Sequence, residues 1–297
     1  MNDNSLFSPA YLRGLLKAAG LSARKSRGQT FLIDRNIAEK IIRSAGLGRD
    51  DAVLEIGPGP GTLTRELCRR AARVIAVEWD RGLVRVLREQ TRDCSNLEVL
   101  EEDFLKTDLA ALAARLGAGR RPGSVLKVVA NLPYSISGPL VAKLIESDAG
   151  FSLLVLMVQK EMGERIVSPP GRKRYGRLSV LARMYSRPRI VAAVCRNSFF
   201  PRPRVDSVIV RFDIIPPDER PVRDLALWRP VAAAAFAQRR KMLKNALAAG
   251  RGLDYTEEQI VTACSRAGID PKDRAENLSA DDFYRLASAL GEIKMDR

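Results

Sequence analysis

The sequence predicts an α/β fold with a mainly parallel sheet, followed by a small all-helical region. Three observations carry that expectation. An apolar strand at 52–56 runs straight into Gly57-Pro58-Gly59-Pro60-Gly61 and then a helix from about 62 to 70, the strand–loop–helix order of a parallel βαβ unit. Gly57, Glu78, Asp103 and Asn131 fall at the ends of four successive apolar runs. Beyond the Pro- and charge-rich stretch 213–221, every remaining periodic segment reads as helix. The chain is therefore expected to divide into residues 1–215 and 216–297.

In chain order, residues 21–31 are basic and polar, with Arg24, Lys25, Arg27 and Gly28 before Gln29 and Thr30, and read as an arm or loop. Residues 34–44 read as a helix that Asp34 can cap, with Ile37, Ile41 and Ile42 on one face. The glycine loop after the 52–56 strand lets backbone approach a ligand, and the following helix start offers free N–H groups. Its GxGxG spacing is not the dinucleotide fingerprint GxGxxG. The second strand, 73–77, ends in Glu78, an acid placed to accept from ribose hydroxyls. The third, 97–101, precedes Asp103, and the fourth, 125–130, ends in Asn131-Leu132-Pro133-Tyr134. Proline stops the strand there, leaving an amide that can accept from an exocyclic amine beside a ring that can stack on a base. A further strand at 153–158 leads into a helix to 167, then the basic loop Arg172-Lys173-Arg174, expected to be mobile. Phe199 and Phe200, set between prolines and arginines, read as exposed aromatics before a strand at 205–212. In the C-terminal part, 228–247 reads as one helix carrying Arg239, Arg240, Lys241 and Lys244. Residues 256–267 open on a capping box, and 279–290 form the last helix.

Composition narrows the chemistry. With 46% hydrophobic residues the 297-residue chain can bury a proper core, and no apolar run reaches the roughly 18 residues of a membrane span. Residues 1–8 are polar and show no signal-peptide pattern. Cys68, Cys94, Cys195 and Cys264 are scattered, which argues against a disulfide framework or a zinc site and for a cytoplasmic setting. The sequence has no histidine, so a His base, a His triad and His metal ligands are excluded, and no metal is expected. A net charge of +15 points to an anionic partner, nucleic acid first. That charge is concentrated: residues 165–211 hold twelve Arg or Lys against one acid, and residues 225–251 hold six against none.

Taken together, GQTFL (28–32), LEIGPGPGTLT (54–64), VEWD (77–80), EEDF (101–104), NLPY (131–134), QKE (159–161), YGRLSV (175–180), FFPRPRVDS (199–207) and FAQRRKMLKN (236–245) resemble the bacterial rRNA small-subunit adenine N6-dimethyltransferases, the KsgA/RsmA family. The likeness extends over about 24–290. It implies a Rossmann-like methyltransferase domain using S-adenosylmethionine, with a helical RNA-binding domain after it. It implies a substrate too: two adjacent adenines in the 3′-terminal hairpin loop of 16S rRNA, within the small ribosomal subunit or its precursor, each methylated twice on N6. By the same resemblance the cofactor contacts fall on Thr30, Leu32, Gly57, Glu78, Asp103 and Asn131, and the catalytic group comprises Asn131, Leu132, Tyr134 and Phe199. The family usually has Asn where this chain has Thr30, which puts a side-chain contact there in doubt. A monomer with no membrane partner is expected. Three other readings stand beside this one: an Erm-type methyltransferase of the large subunit, an RNA-binding assembly factor that has lost catalysis, and a small-molecule methyltransferase.

Overall fold

The computed structural model describes residues 5–21, 29–119, 121–220 and 225–295. The basic residues Arg24, Lys25 and Arg27 and the Gly28 of the first motif lie outside them. The strands are β1 (Phe31–Leu32), β2 (Ala52–Ile56), β3 (Arg73–Glu78), β4 (Leu97–Glu101), β5 (Leu126–Asn131), β6 (Phe151–Gln159), β7 (Ser186–Val194), β8 (Phe199–Phe200) and β9 (Ser207–Ile214). The helices are α1 (Pro9–Ala18), α2 (Arg35–Ala45), α3 (Thr62–Cys68), α4 (Arg81–Gln90), α5 (Leu109–Gly117), α6 (Ser137–Glu146), α7 (Lys160–Val167), α8 (Arg177–Tyr185), α9 (Leu225–Ala237), α10 (Leu243–Ala248), α11 (Glu257–Arg266) and α12 (Ala280–Met295). None of the described helices is long and apolar enough to cross a membrane.

The chain forms two compact units. One comprises the residues up to Gly163 with Pro188–Ile214; the other comprises Glu164–Arg187 with Ile215 onward.

The first unit is built on a seven-stranded sheet in the order β4-β3-β2-β5-β6-β9-β7. Its β2, β3, β4, β5 and β6 pair in parallel, and β9 joins β6 antiparallel. The central strand β2 is buried at every position, as a parallel strand covered on both faces must be. Ile41, Ile42, Val53, Leu67, Val129, Val155 and Ile209 share one core cluster, so the isoleucine face of α2 packs as its spacing predicted. Asp34 caps that helix, its Oδ1 accepting from the Ile37 amide at 3.2 Å. A second cluster, Leu6, Leu12, Leu16, Phe31 and Leu83, brings α1 against β1 and α4. Neither α1 nor the antiparallel β1–β8 ribbon, which pairs Phe31 with Phe200 and Leu32 with Phe199, is among the elements expected from the sequence. Two-residue strands are too short to show a period, so only the pairing reveals them.

The second unit has an aromatic core. Tyr175 meets Phe236 at 6.1 Å between centroids, Phe236 meets Phe283 at 5.5 Å, and Tyr185 meets Trp228 at 6.5 Å. The Tyr175 hydroxyl also donates to the Leu278 carbonyl at 2.7 Å. Residues 164–187 belong to this unit because these two tyrosines are part of its core.

Here the single helix expected at 228–247 is corrected. It is broken by a turn at 238–242, where the Lys241 amide donates to the Gln238 carbonyl at 2.9 Å. The first amides of α10 donate outward, Leu243 to Asp273 O at 2.7 Å and Lys244 to Pro271 O at 3.1 Å. Tertiary acceptors outcompete the continuous helix that local propensity favours. The capping box at Thr256 is formed as predicted, the Thr256 hydroxyl accepting from the Gln259 amide.

Candidate active site

Strand register gathers the site. Ile56 lies opposite both Val77 and Ala130, so the next residues on those strands, Gly57, Glu78 and Asn131, stand side by side at one edge. Glu78 lies opposite Glu101, which places Asp103 just beyond. The sheet order also reverses here: β3 and β4 extend to one side of β2 and β5 and β6 to the other, the switch point at which open α/β sheets bind ligands.

Two cavities open at this edge. The first is lined by Thr30, Leu32, Gly57, Glu78, Asn131 and Leu132, and measures about 620 Å³ counting the space open to solvent. The second is lined by Asp103, and shares Gly57, Glu78, Trp79 and Pro133 with the first. Every expected cofactor residue thus lines one or the other. Tyr134 and Phe199 line neither; their rings meet edge-on at 6.5 Å. The expected exposure of Phe199 is corrected: it is 2% exposed and belongs to the core, because β8 turns its side chain inward. Phe200 is the more accessible ring, with the Arg13 guanidinium 5.5 Å from its centroid.

The Asn131 amide nitrogen donates to the Thr30 carbonyl at 3.0 Å. A carbonyl only accepts, so this bond fixes which way the amide points. Oδ1 is left buried with no hydrogen-bond partner. The Tyr134 hydroxyl shares a 2.6 Å hydrogen bond with Ser207 Oγ, and burial raises its pKa. Glu78 is 4% exposed; its Oε2 accepts from the Gly59 amide at 3.2 Å and its Oε1 from the Asp80 amide at 3.0 Å. Burial raises the Glu78 pKa, opposed by those amides. The glycine at 59 is obligatory in this arrangement: its φ is +57°, and a Cβ would lie 2.9 Å from the Phe31 ring.

Glu55, Thr62 and Trp79 escaped the sequence reading although all three sit within the motifs. Glu55 lines the first cavity, is fully buried, and burial pushes its pKa up to about 8. Its Oε2 and the Thr62 hydroxyl have no hydrogen-bond partner. Trp79 is 50% exposed at the junction of the two cavities. An acid one residue from a glycine loop and a Trp after a strand-end acid are signals in hindsight, but each equally suits a core strand or a surface turn. Among the described residues, no cluster of three or more acidic or Cys side chains is placed to hold a metal.

The model of the ribosomal RNA adenine dimethylase family matches residues 20–292. The chain belongs to the ribosomal RNA adenine dimethylase family. It is 43% identical to a ribosomal RNA small subunit methyltransferase A of Pelotomaculum thermopropionicum, over 95% of this chain and 96% of that one. A protein of the same name from Moorella thermoacetica is 42% identical, over 97% of this chain and 99% of its own. Among solved structures, a dimethyladenosine transferase from Plasmodium falciparum superposes with a TM-score of 0.71 at 29% identity, covering 88% of this chain and 97% of that one. The 23S rRNA methyltransferase ErmE gives 0.65 at 27%, covering 88% and 99%. Both superpositions extend over most of this chain, the parallel sheet and the helical C-terminal region included.

Proposed function

We propose that this protein dimethylates N6 of two adjacent adenines in the 3′-terminal hairpin loop of 16S rRNA, using S-adenosylmethionine. The observation that carries the site assignment is the orphaned, buried Oδ1 of Asn131, an acceptor held toward a donor the protein itself does not supply. The small-subunit target rests on the names and high identity of the two bacterial relatives. ErmE has a similar fold but lower identity, and its name gives 23S rRNA as its substrate.

The residues present suit the cofactor. Glu55 and Glu78 set two carboxyl groups in the lining of the first cavity, and the Glu55 Oε2 and the Thr62 hydroxyl have no hydrogen-bond partner within the protein. In this reading Glu78 takes the ribose hydroxyls, Asp103 and the second cavity take the base, and the Gly57–Gly61 loop takes the amino-acid end. When bound, S-adenosylmethionine supplies a methyl group already activated on a sulfonium, so neither histidine nor metal is needed.

The difficulty lies in the nucleophile, because the lone pair of an adenine N6 is delocalised into its ring. Asn131 Oδ1 and the Leu132 carbonyl accept from that amino group and fix its orientation, and they stabilise the positive charge that grows on nitrogen. Tyr134, anchored through its hydroxyl to Ser207, offers a ring for the flipped base, with Phe199 edge-on behind it. A loop adenine leaves its stack more cheaply than a paired one, which favours a hairpin loop as target.

Incubation with methyl-labelled S-adenosylmethionine and unmodified small-subunit particles, followed by mapping of the labelled bases, tests the proposal. Label on N6 of the two loop adenines is the expected outcome. Label on large-subunit RNA alone would move the reading to the Erm-type branch.

A further inference from the structure

Lys143 lies on α6, outside the glycine loop and the Asn-Leu-Pro-Tyr segment. Its ammonium donates to three main-chain carbonyls of one turn: Phe104 at 2.9 Å, Leu105 at 2.8 Å and Thr107 at 2.6 Å. It also stands 5.6 Å from the centroid of the Phe104 ring. An ammonium has three N–H donors and no acceptor, so this turn satisfies it completely. Conversely, carbonyls that converge on one point repel one another unless a cation sits between them. The turn is closed on its other side by Asp103, whose Oδ1 accepts from the Leu105 amide at 3.0 Å and whose carbonyl accepts from Lys106 N at 2.8 Å. Burial lowers the Lys143 pKa, while the charges of Asp103 and Asp108 act to raise it.

The placement of this clamp gives it a consequence for binding. The second cavity is lined by Asp103, Phe104 and Leu105, the turn that Lys143 grips, and by Pro133, Ile136 and Leu140. The latter three lead into or lie on α6, the helix that carries Lys143. One side chain therefore ties these two parts of the lining together and sets the gap between them. We propose that Lys143 is a positioning residue for the cofactor: it fixes the width of the cavity that takes the flat heterocyclic base, and so sets cofactor affinity without touching the transferred methyl or the target adenine. This rests on the cofactor reading above.

The test compares full-length wild type, Lys143→Met and Lys143→Arg. Methionine keeps the stem and removes the charge and donors; arginine keeps both. Calorimetry with S-adenosylhomocysteine, steady-state methyl transfer on unmodified small-subunit particles, and thermal melting are read on each. In Lys143→Met, Kd for S-adenosylhomocysteine and KM for the cofactor should both rise about tenfold, since three charge-assisted hydrogen bonds are removed. The kcat should stay within about twofold. Lys143→Arg should recover most of the affinity. A methionine variant that binds like wild type overturns the proposal, as does one whose kcat falls at unchanged Kd. A methionine variant that does not fold, with arginine giving no rescue, makes Lys143 a stability residue and overturns it too. Wild type that fails to bind S-adenosylhomocysteine is a distinct result: it removes the cofactor reading, and this proposal with it.

Discussion

At Asn131 the amide nitrogen is committed to the Thr30 carbonyl, and the oxygen is buried without a partner. The bond uses the backbone of Thr30, which any residue supplies, so it does not depend on which side chain stands at position 30. If Oδ1 acts mainly on the transition state, Asn131→Ala should lower the single-turnover rate by roughly 10²–10³-fold, with S-adenosylhomocysteine affinity within a few-fold of wild type. Near-normal rates would remove the aligning role. Glu55 yields a prediction about pH. Its folded pKa of about 8 lies above the ordinary 4.5, so the fold favours the neutral acid. As pH rises from about 4.5 to about 8, the unfolded chain releases the Glu55 proton first, and stability falls across that interval. Glu55→Gln lacks this loss. Denaturant unfolding should show the variant gaining on wild type from about pH 5 to about pH 8, by on the order of a few kcal/mol. A difference that does not change with pH would place the Glu55 carboxyl in contact with water.

At the scale of elements, the end of β3 and the turn between α9 and α10 make separate predictions. Glu78 accepts from the Gly59 and Asp80 amides, so it shapes the glycine loop in addition to its proposed role toward the ribose. Glu78→Ala should weaken S-adenosylhomocysteine binding by roughly 1.5–3 kcal/mol in calorimetry, the scale of a hydrogen bond to a charged group. An unchanged constant would reduce it to a loop brace. In the turn and the start of α10, the four cations Arg239, Arg240, Lys241 and Lys244 are of two kinds. Arg239 donates to the carbonyls of Lys173 and Tyr175 and pairs with Glu276, and Lys244 pairs with Glu257. The expected mobile loop at 172–174 is thereby held: Gly171 N also donates to Glu276 O at 2.8 Å, and Arg174 pairs with Glu164 at 3.1 Å. Arg239→Ala should lower the stability of the second unit by roughly 1–3 kcal/mol through unsatisfied carbonyls, measured by denaturant unfolding. The same change at Arg240 or Lys241, both exposed, should leave stability within about 0.5 kcal/mol. Equal losses at all three positions would contradict this division.

For the molecule as a whole, the +15 net charge is the long-range attraction for RNA, and individual cations convert it into contacts. Arg240 and Lys241 are the pair that tests phosphate contact, since Lys244 already has a carboxylate partner. Changing both to Ala should weaken binding to the small-subunit particle and flatten its log–log salt dependence by about 0.7–0.9 for each phosphate no longer neutralised. Cofactor affinity should not move. Superimposable salt series for wild type and double mutant would confine RNA binding to other basic residues.

Local pattern was enough to read the succession of the five strands β2 to β6, the glycine loop, and the acids and amide at successive strand ends. Hydrophobic period and glycine placement are local properties, and a parallel sheet aligns strand ends automatically. The sequence also carried the motifs that assign the family. Which polar atoms remain unsatisfied and which cations are already paired depends on contacts between distant parts of the chain. Asn131 Oδ1, Glu55, Arg239 and Lys143 have their roles set by groups far away along the chain, and no local pattern encodes such pairings. The break at 238–242 and the β1–β8 ribbon have the same origin. In both, hydrogen-bond partners distant in sequence decide what the chain does, and helix propensity or a two-residue apolar run is too weak a local signal to predict it.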